Sequence, residues 1–204
     1  MIDRKLLADS RILIVDDNAA NVMLLERLLQ HAGYRNHLAV TDSREVLERF
    51  RTWQPDLILL DLMMPNMDGY AVLRQLNGWI PDRVYLPVLV ITADTTPAAR
   101  KRAMELGAKD FLTKPIDALE ATLRINNLLT TRWLYGQIES RGQVLLAQAA
   151  TSKQKLESSL KALDRVMATG DTIDLSLLRY ELLEAAAAIG KLNGSEDTVL
   201  AATS

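Results

Sequence analysis

The chain has no cysteine, two histidines and two phenylalanines among its 204 residues. The lack of cysteine excludes disulfides, thiol catalysis and cysteine-ligated metals, and it is compatible with a reducing compartment. His31 and His37 are not flanked like a phosphodonor or a metal site, so we interpret both as ordinary helix-end or strand residues. The function therefore has to be carried by other side chains.

Long apolar runs are also lacking. No stretch reaches the roughly 18 apolar residues that a membrane helix needs. The segment Met1–Ser10 carries charges at Asp3, Arg4, Lys5 and Asp9 and has no apolar core long enough for a signal peptide. We therefore predict a cytoplasmic protein without a membrane partner.

An excess of positive charge is the third absence. The chain has 24 Lys and Arg against 26 Asp and Glu. Residues 120–204 have nine of the former and ten of the latter. A DNA-binding domain normally brings a basic face, so we predict no nucleic-acid partner.

What is present is a set of three short apolar runs, each followed by charged residues. Such runs are typical of strands buried on both faces of a parallel sheet, and helix-patterned segments separate them. The runs with their charged residues are Arg11–Val15 before Asp16 and Asp17, Asp56–Leu60 before Asp61, and Asp110–Thr113 before Lys114. Because ligand sites of open α/β sheets lie at the carboxyl ends of the strands, we expect these four side chains to meet in one crevice.

The four side chains suggest phosphoryl transfer. Carboxylates that meet in a crevice repel one another, and a divalent cation such as Mg²⁺ relieves that repulsion. A lysine ammonium suits the oxygens of a transferred phosphoryl group, and a carboxylate can be the nucleophile that receives it. The alternative is that the acids only cap the helices that follow the strands. All four positions together make that alternative the weaker one.

Four motifs in this order resemble the receiver domain of bacterial two-component response regulators. The resemblance covers roughly residues 10 to 130 and implies an α/β fold, a doubly wound five-stranded parallel sheet of the flavodoxin-like kind. The motifs are Ile14–Asn18, Leu60–Gly69, Val90–Ala93 and Gly107–Pro115.

The resemblance implies a role for each site residue. Asp61 is similar to the phosphoacceptor, and Asp16 and Asp17 to the acidic pair that holds Mg²⁺ with it. Met63 would give its backbone carbonyl to the metal, so its side chain should tolerate substitution. Lys114 would pair with the phosphoryl oxygens, and its bond to the following proline matches a cis peptide of the family.

The resemblance also implies a switch and a donor. Thr92 would donate its hydroxyl to the phosphoryl group, and Ala93 would leave room for access. Phe111 stands at the position of the switch aromatic, although an ordinary core aromatic is an alternative. The implied phosphoryl donor is a histidine kinase or a histidine phosphotransfer protein.

Helix signals fill the spaces between the predicted strands. Glycine stops a first helix, and Asp42 or Ser43 can cap a second. The predicted helices are Asn21–Gln30, a segment from Asp42 to about Trp53, one opening at Asp68–Gly69, and Thr96–Leu106.

From Ile116 onward, apolar residues at helical spacing continue past the end expected of the last receiver helix. They indicate one long helix, or two helices with a break near Gly136–Gly142, and a coiled-coil step follows. The two sets are Leu119, Leu123, Leu128, Trp133, Leu134, Ile138 and Leu145, and then Leu156, Leu160, Leu163 and Met167. A helix of this length needs a partner for its stripe, and a parallel homodimer or folding back on the receiver would supply one.

The pattern after Gly170 predicts a second helix over Ile173–Ile189. We therefore divide the chain into a lead (1–10), a receiver domain (11–130), a helical extension for dimerisation (131–190) and a flexible tail (191–204). The second helix could pack on the first as an αα-hairpin.

No output enzyme is evident in the sequence. Leu128–Tyr135 resembles the linker of HD-GYP cyclic-dinucleotide phosphodiesterase regulators, but no histidine follows His37 and the Gly-Tyr-Pro motif is missing. Diguanylate cyclase signatures are missing as well. We therefore expect a non-enzymatic regulator that signals by phosphorylation-dependent dimerisation, through the helical extension or the last receiver helices, or by binding of a downstream protein. The alternative is a truncated or diverged HD-GYP regulator without its catalytic domain.

Overall fold

The computed structural model describes residues 8–81, 84–169 and 180. The chain forms two compact units, Met1–Gly136 and Gln137–Ser204. The boundary between the two units lies after Gly136, a few residues beyond residue 130, where the sequence analysis ends the receiver domain. Strands and helices alternate in the order β1 (Arg11–Val15), α1 (Ala19–His31), β2 (Asn36–Val40), α2 (Val46–Trp53), β3 (Leu57–Leu60), α3 (Gly69–Trp79), β4 (Val88–Thr92), α4 (Pro97–Glu105), β5 (Asp110–Thr113) and α5 (Ala118–Thr169).

The five strands form one parallel sheet in the order β2-β1-β3-β4-β5. The order reverses between β1 and β3, which is the topological switch point of a doubly wound fold. The three central strands, β1, β3 and β4, are almost wholly buried, because helices cover both faces of the sheet. The predicted fold class is therefore confirmed.

Alternate strand residues feed two separate cores. On one face, Ile12 and Ile14 of β1 pack with the apolar sides of α1 and α5. On the other, Leu13 and Val15 pack with α2, α3 and α4. This alternation follows from the two-residue period of a strand and brings all five helices onto the sheet.

Side-chain caps fix where three helices begin. Asn18, Asp68 and Thr96 each accept a hydrogen bond from a backbone N–H of the following helix, α1, α3 and α4 respectively. Asp42 caps a 3₁₀ turn over Ser43–Glu45, which leads into α2. The predicted helix over 21–30 is thus found with its start at Ala19 and its end at His31.

The extension begins as a continuation of the last helix. α5 runs without a break through Gly136 and Gly142, so the single-helix alternative is the observed one. Among the described helices, none has the length together with the apolar character that crossing a bilayer requires.

The apolar residues of α5 do not form one stripe. Leu128 is buried in the core and Trp133 packs against it. The others are exposed, namely Leu119, Leu123, Leu134, Ile138 and Leu145. The apolar residues of the sequence pattern therefore lie on two faces of α5, because residues at helical spacing occur on the packed face and on the exposed face alike.

In the second unit, Leu156 is half-buried and Leu160 is 58% exposed. Two serines of the same helix, Ser152 and Ser159, are buried instead. The side chains of Leu163 and Met167 lie outside the described residues, as do the predicted helix over Ile173–Ile189, apart from Tyr180, and the tail 191–204. The coiled-coil dimer remains a prediction.

Candidate functional site

The ends of three strands bring the predicted site together. Asp16 follows β1, Asp61 follows β3 and Lys114 follows β5. Val15 pairs with Leu60 in the parallel register, and the Asp61 N–H donates to the Val15 carbonyl at 2.9 Å. The two acids therefore stand side by side at the same edge of the sheet.

Lys114 bridges these two acids. Its Nζ lies 2.8 Å from Asp16 Oδ2 and 2.8 Å from Asp61 Oδ2. Asp16 and Asp61 are 1% and 5% exposed. Burial alone would lower the pKa of Lys114, but the hydrogen bonds to Asp16 and Asp61 outweigh it and raise that pKa above its ordinary value. The lysine is therefore held as a cation between two buried carboxylates.

Asp16 is positioned by the loop and helix that follow it. Its Oδ1 accepts hydrogen bonds from the Asn18 backbone N–H at 2.9 Å and from the Asn21 side chain at 3.1 Å. The sequence analysis predicts neither hydrogen bond. Asn18 belongs to the motif Ile14–Asn18, whereas the sequence indicates for Asn21 only a place at the start of a helix. The N-cap of α1 is Asn18, so capping does not account for Asp16.

The three acids are arranged as a cation site. One carboxylate oxygen from each of Asp16, Asp17 and Asp61 lies within 4.8 Å of the others, with Asp17 exposed to solvent. Oxygen ligands with room for water suit Mg²⁺, which keeps several of its waters. The donor set therefore fits the metal that the sequence suggested.

The loop after Asp61 is shaped by its backbone. The Met63 N–H donates to Asp61 Oδ1 at 3.2 Å, and the Met63 side chain is 65% exposed. Asn66 has a φ of 65°, and the Gly69 N–H donates to the Leu62 carbonyl at 3.0 Å. The loop thus turns back on itself and keeps backbone groups of Met63 beside the acids.

Thr92 and Phe111 lie on neighbouring strands. Thr92 ends β4, is fully buried, and its Oγ1 accepts a hydrogen bond from the Asp94 N–H at 3.3 Å. Phe111 is 5% exposed in the core beneath α4, where the Arg100 guanidinium carbon lies 5.9 Å from the ring centroid. Phe111 is therefore a core aromatic in this structure, and its role as a switch is a matter of proposal.

The bond between Lys114 and Pro115 is cis, as the resemblance implies. The Lys114 N–H donates to the Thr92 carbonyl at 2.9 Å. This hydrogen bond joins the end of β5 to the end of β4, beside the acids.

Comparison with known proteins agrees with this geometry. The family model described as the response regulator receiver domain matches residues 12–126. The alkaline phosphatase synthesis transcriptional regulatory protein PhoP of Bacillus subtilis is 36% identical over 121 residues, which are 59% of this chain and 49% of PhoP. The response regulator PleD of Caulobacter vibrioides is 40% identical over 132 residues, 65% of this chain and 29% of PleD. The chain thus spans half or less of the length of these curated relatives.

Solved structures show the same fold. The signal receiver domain of a signal transduction histidine kinase from Syntrophus aciditrophicus has a TM-score of 0.54 at 36% identity and covers 60% of this chain and 91% of that one. The receiver domain of the Francisella response regulator 1452 has a TM-score of 0.55 at 25% identity and covers 60% and 98%. With its parallel sheet, its acid-lysine cluster and the family match over residues 12–126, the chain belongs to the response regulator receiver domain family.

Proposed function

We propose that the chain accepts a phosphoryl group on Asp61 from a histidine kinase or a histidine phosphotransfer protein. The single observation that supports this most is the buried Asp61 carboxylate, within 2.8 Å of the Lys114 ammonium and clustered with Asp16 and Asp17. In the transfer, an Asp61 carboxylate oxygen bonds to phosphorus. The bond from phosphorus to the donor nitrogen breaks, and its electron pair stays on the nitrogen.

We assign roles to the other site residues from their positions around Asp61 at the ends of the strands. Asp16, Asp17 and Asp61, with the backbone carbonyl of Met63, would hold Mg²⁺. The metal, when bound, neutralises charge on the phosphoryl oxygens as a Lewis acid. Lys114 is a compact point charge that would pair with a phosphoryl oxygen.

Thr92 and Phe111 are the proposed switch. The Thr92 hydroxyl is at the end of β4 and would donate to a phosphoryl oxygen on Asp61. Phe111 lies on the strand paired with β4, with Val90 opposite it. The added charge gives the two states of the protein different interaction energies, which is what a switch requires.

The proposed output is a change of association, either with a second copy through the helical extension or with a separate downstream protein. Exposed apolar residues along α5, such as Leu134 and Ile138, support an association surface. The setting we propose is the cytoplasm, where the proposed donors act. The diverged HD-GYP regulator stays the alternative.

The direct test uses Mg²⁺ and acetyl phosphate, with the intact mass as the measure of phosphorylation. The wild type should gain one phosphoryl group, and Asp61→Asn should gain none. Asp42→Asn is the matched control, because it removes a carboxylate of an exposed cap and should leave the gain unchanged. If Asp61→Asn were phosphorylated to the same extent as the wild type, Asp61 would not be the residue that accepts the phosphoryl group.

Sedimentation of the same samples then separates the two outputs. A change of mass that requires an intact Asp61 indicates self-association. An unchanged mass, with Asp61 phosphorylated, indicates that a separate protein reads the signal.

A further inference from the structure

The turn of α5 just before Gly136 contacts the base of the sheet, the end opposite Asp61. Trp133 packs against the core, and Arg132 Nε lies 3.7 Å from Asp56 Oδ1 at the start of β3. The Tyr135 ring stacks on Tyr85, with centroids 4.8 Å apart and planes at 14°. The last turn before the unit boundary is therefore held by contacts on more than one side.

Tyr85 connects that turn to β4 and β5. It lies in the segment that leads into β4, and the Lys109 ammonium, just before β5, is 5.9 Å from its ring centroid. The Lys109 N–H also donates to the Val88 carbonyl at the start of β4, at 2.9 Å. The starts of both strands thus meet at the Tyr85 ring.

A second contact joins β5 to α5 directly. Arg124 Nη1 donates to both carboxylate oxygens of Asp110 at 2.7 Å. Burial, followed by the nearby Tyr135 and Asp110, raises the pKa of the half-buried Tyr85. The stacked tyrosines and this ion pair therefore lie in one neighbourhood.

The same two strands carry the proposed switch. Thr92 is the last residue of β4, and Phe111 is the second residue of β5. Because paired strands in a packed sheet are stiff, a displacement of β4 and β5 at Thr92 and Phe111 would also displace the segments where these strands start. Those segments hold Tyr85 and Lys109.

We propose that the Tyr85–Tyr135 stack couples the phosphorylation state of Asp61 to helix α5 beyond Gly136. The inference rests on the proposed function and adds to it a place where the signal leaves the receiver fold. Tyr85 and Tyr135 are positioning residues, because they act through β4 and α5 and not on the phosphoryl group.

The experiment measures backbone hydrogen exchange in the α5 peptides after Gly136, in the full chain, with Mg²⁺ and with or without acetyl phosphate. In the wild type, phosphorylation should change the exchange rate of these peptides by about fivefold or more, the lower end of usual allosteric couplings. In Tyr135→Ala, Asp61 should be phosphorylated to the same extent, but the difference between the two states should fall below about twofold.

Tyr135→Phe is the matched variant. It keeps the stacked ring and removes the hydroxyl, so the wild-type difference should return. Tyr85→Phe should behave alike, and Tyr85→Ala combined with Tyr135→Ala should change the coupling no more than either single change. A merely structural role would speed exchange equally in both states and leave the difference between them intact.

The outcomes separate the two proposals. If Asp61 of the wild type takes no phosphoryl group, the proposed function and the inference both fail. If Asp61 is phosphorylated but Tyr135→Ala keeps the full difference, or the wild type shows none, the inference fails and phosphoryl acceptance stands.

Discussion

Lys114 supplies the positive charge that compensates the two buried carboxylates of Asp16 and Asp61. Its side chain is 18% exposed, and those of Asp16 and Asp61 are 2% and 6% exposed. Without a cation between them, the two carboxylates would face each other away from water, which is strongly unfavourable. Mg²⁺ would be an alternative source of positive charge for Asp16 and Asp61, so the lysine and the metal would compete for the same two carboxylates.

We predict that Lys114→Met lowers the free energy of unfolding in metal-free buffer by about 2 kcal/mol, because the variant leaves buried charge uncompensated. The variant should also bind Mg²⁺ at lower concentrations, since no ammonium competes. Urea unfolding and a Mg²⁺ titration measure the two effects. The pKa of Lys114 is raised in the folded protein. Its contribution should therefore be complete below the ordinary value of 10.5 and disappear as the pH rises through the folded-state value.

Lys101→Met is the control for removing a lysine. Lys101 lies 3.8 Å from Glu105 on the exposed face of α4, and such pairs contribute less than about 0.5 kcal/mol. Equal stability and equal Mg²⁺ binding of the wild type and Lys114→Met would show that the bridge between Asp16 and Asp61 does not form in solution.

At the level of the element, α3 begins in close contact with the loop that follows Asp61. Gly69 is its first residue, and a Cβ there would overlap the backbone oxygen of Asp61 and lie 2.7 Å from Leu62 Cα. These are backbone atoms, which cannot move aside as a flexible side chain could. The missing side chain thus lets the helix start directly against the strand end that carries Asp61.

Gly69→Ala should destabilise the fold by about 2 kcal/mol and lower the rate of Asp61 phosphorylation, because the loop has to shift. Gly78→Ala in the same helix is the matched control. A Cβ at Gly78 meets nothing within 4 Å, so this change should stabilise by about 0.5 kcal/mol. Thermal unfolding and the acetyl phosphate assay compare the two. If both variants were equally stable, the close approach at Gly69 would be wrong.

At the level of the whole molecule, the described core of the sheet ends before the unit boundary. Trp133 is the last residue that packs against it, and Leu128 and Leu129 lie just before. The ion pair between Arg132 and Asp56 also falls within the first unit. The first unit therefore has the parts of an independently folding domain.

A chain ending at Gly136 should fold with a stability within about 1 kcal/mol of the full chain and accept a phosphoryl group at Asp61. A chain ending at Asn127 is the control. It lacks Leu128, Leu129 and Trp133, and the lost apolar burial should destabilise it by at least about 4 kcal/mol. Circular dichroism during urea unfolding distinguishes them. An unfolded Gly136 fragment would mean that the sheet depends on the extension.

From the sequence alone, the apolar runs predict three of the five strands, the helix signals predict most helix ends, and the charged residues after the strands are expected to meet at one edge. Short apolar runs between helix-patterned segments, such as Leu57–Leu60, are typical of parallel strands buried on both faces, and this one is such a strand. Charged residues directly after such strands meet at one edge by topology alone. Asp16, Asp17, Asp61 and Lys114 could therefore be placed together without coordinates.

The folded structure was needed to show which face of α5 packs on the sheet and which groups hold the site residues. Helical spacing gives the positions of residues around a helix but not the face that meets the sheet. Leu128 and Leu134 are therefore equivalent in the sequence pattern, although Leu128 is buried and Leu134 is exposed. The Asn21 bond to Asp16 and the stack of Tyr85 on Tyr135 join residues whose approach depends on how whole elements pack. No local pattern encodes such contacts, because their geometry is set by many long-range interactions at once.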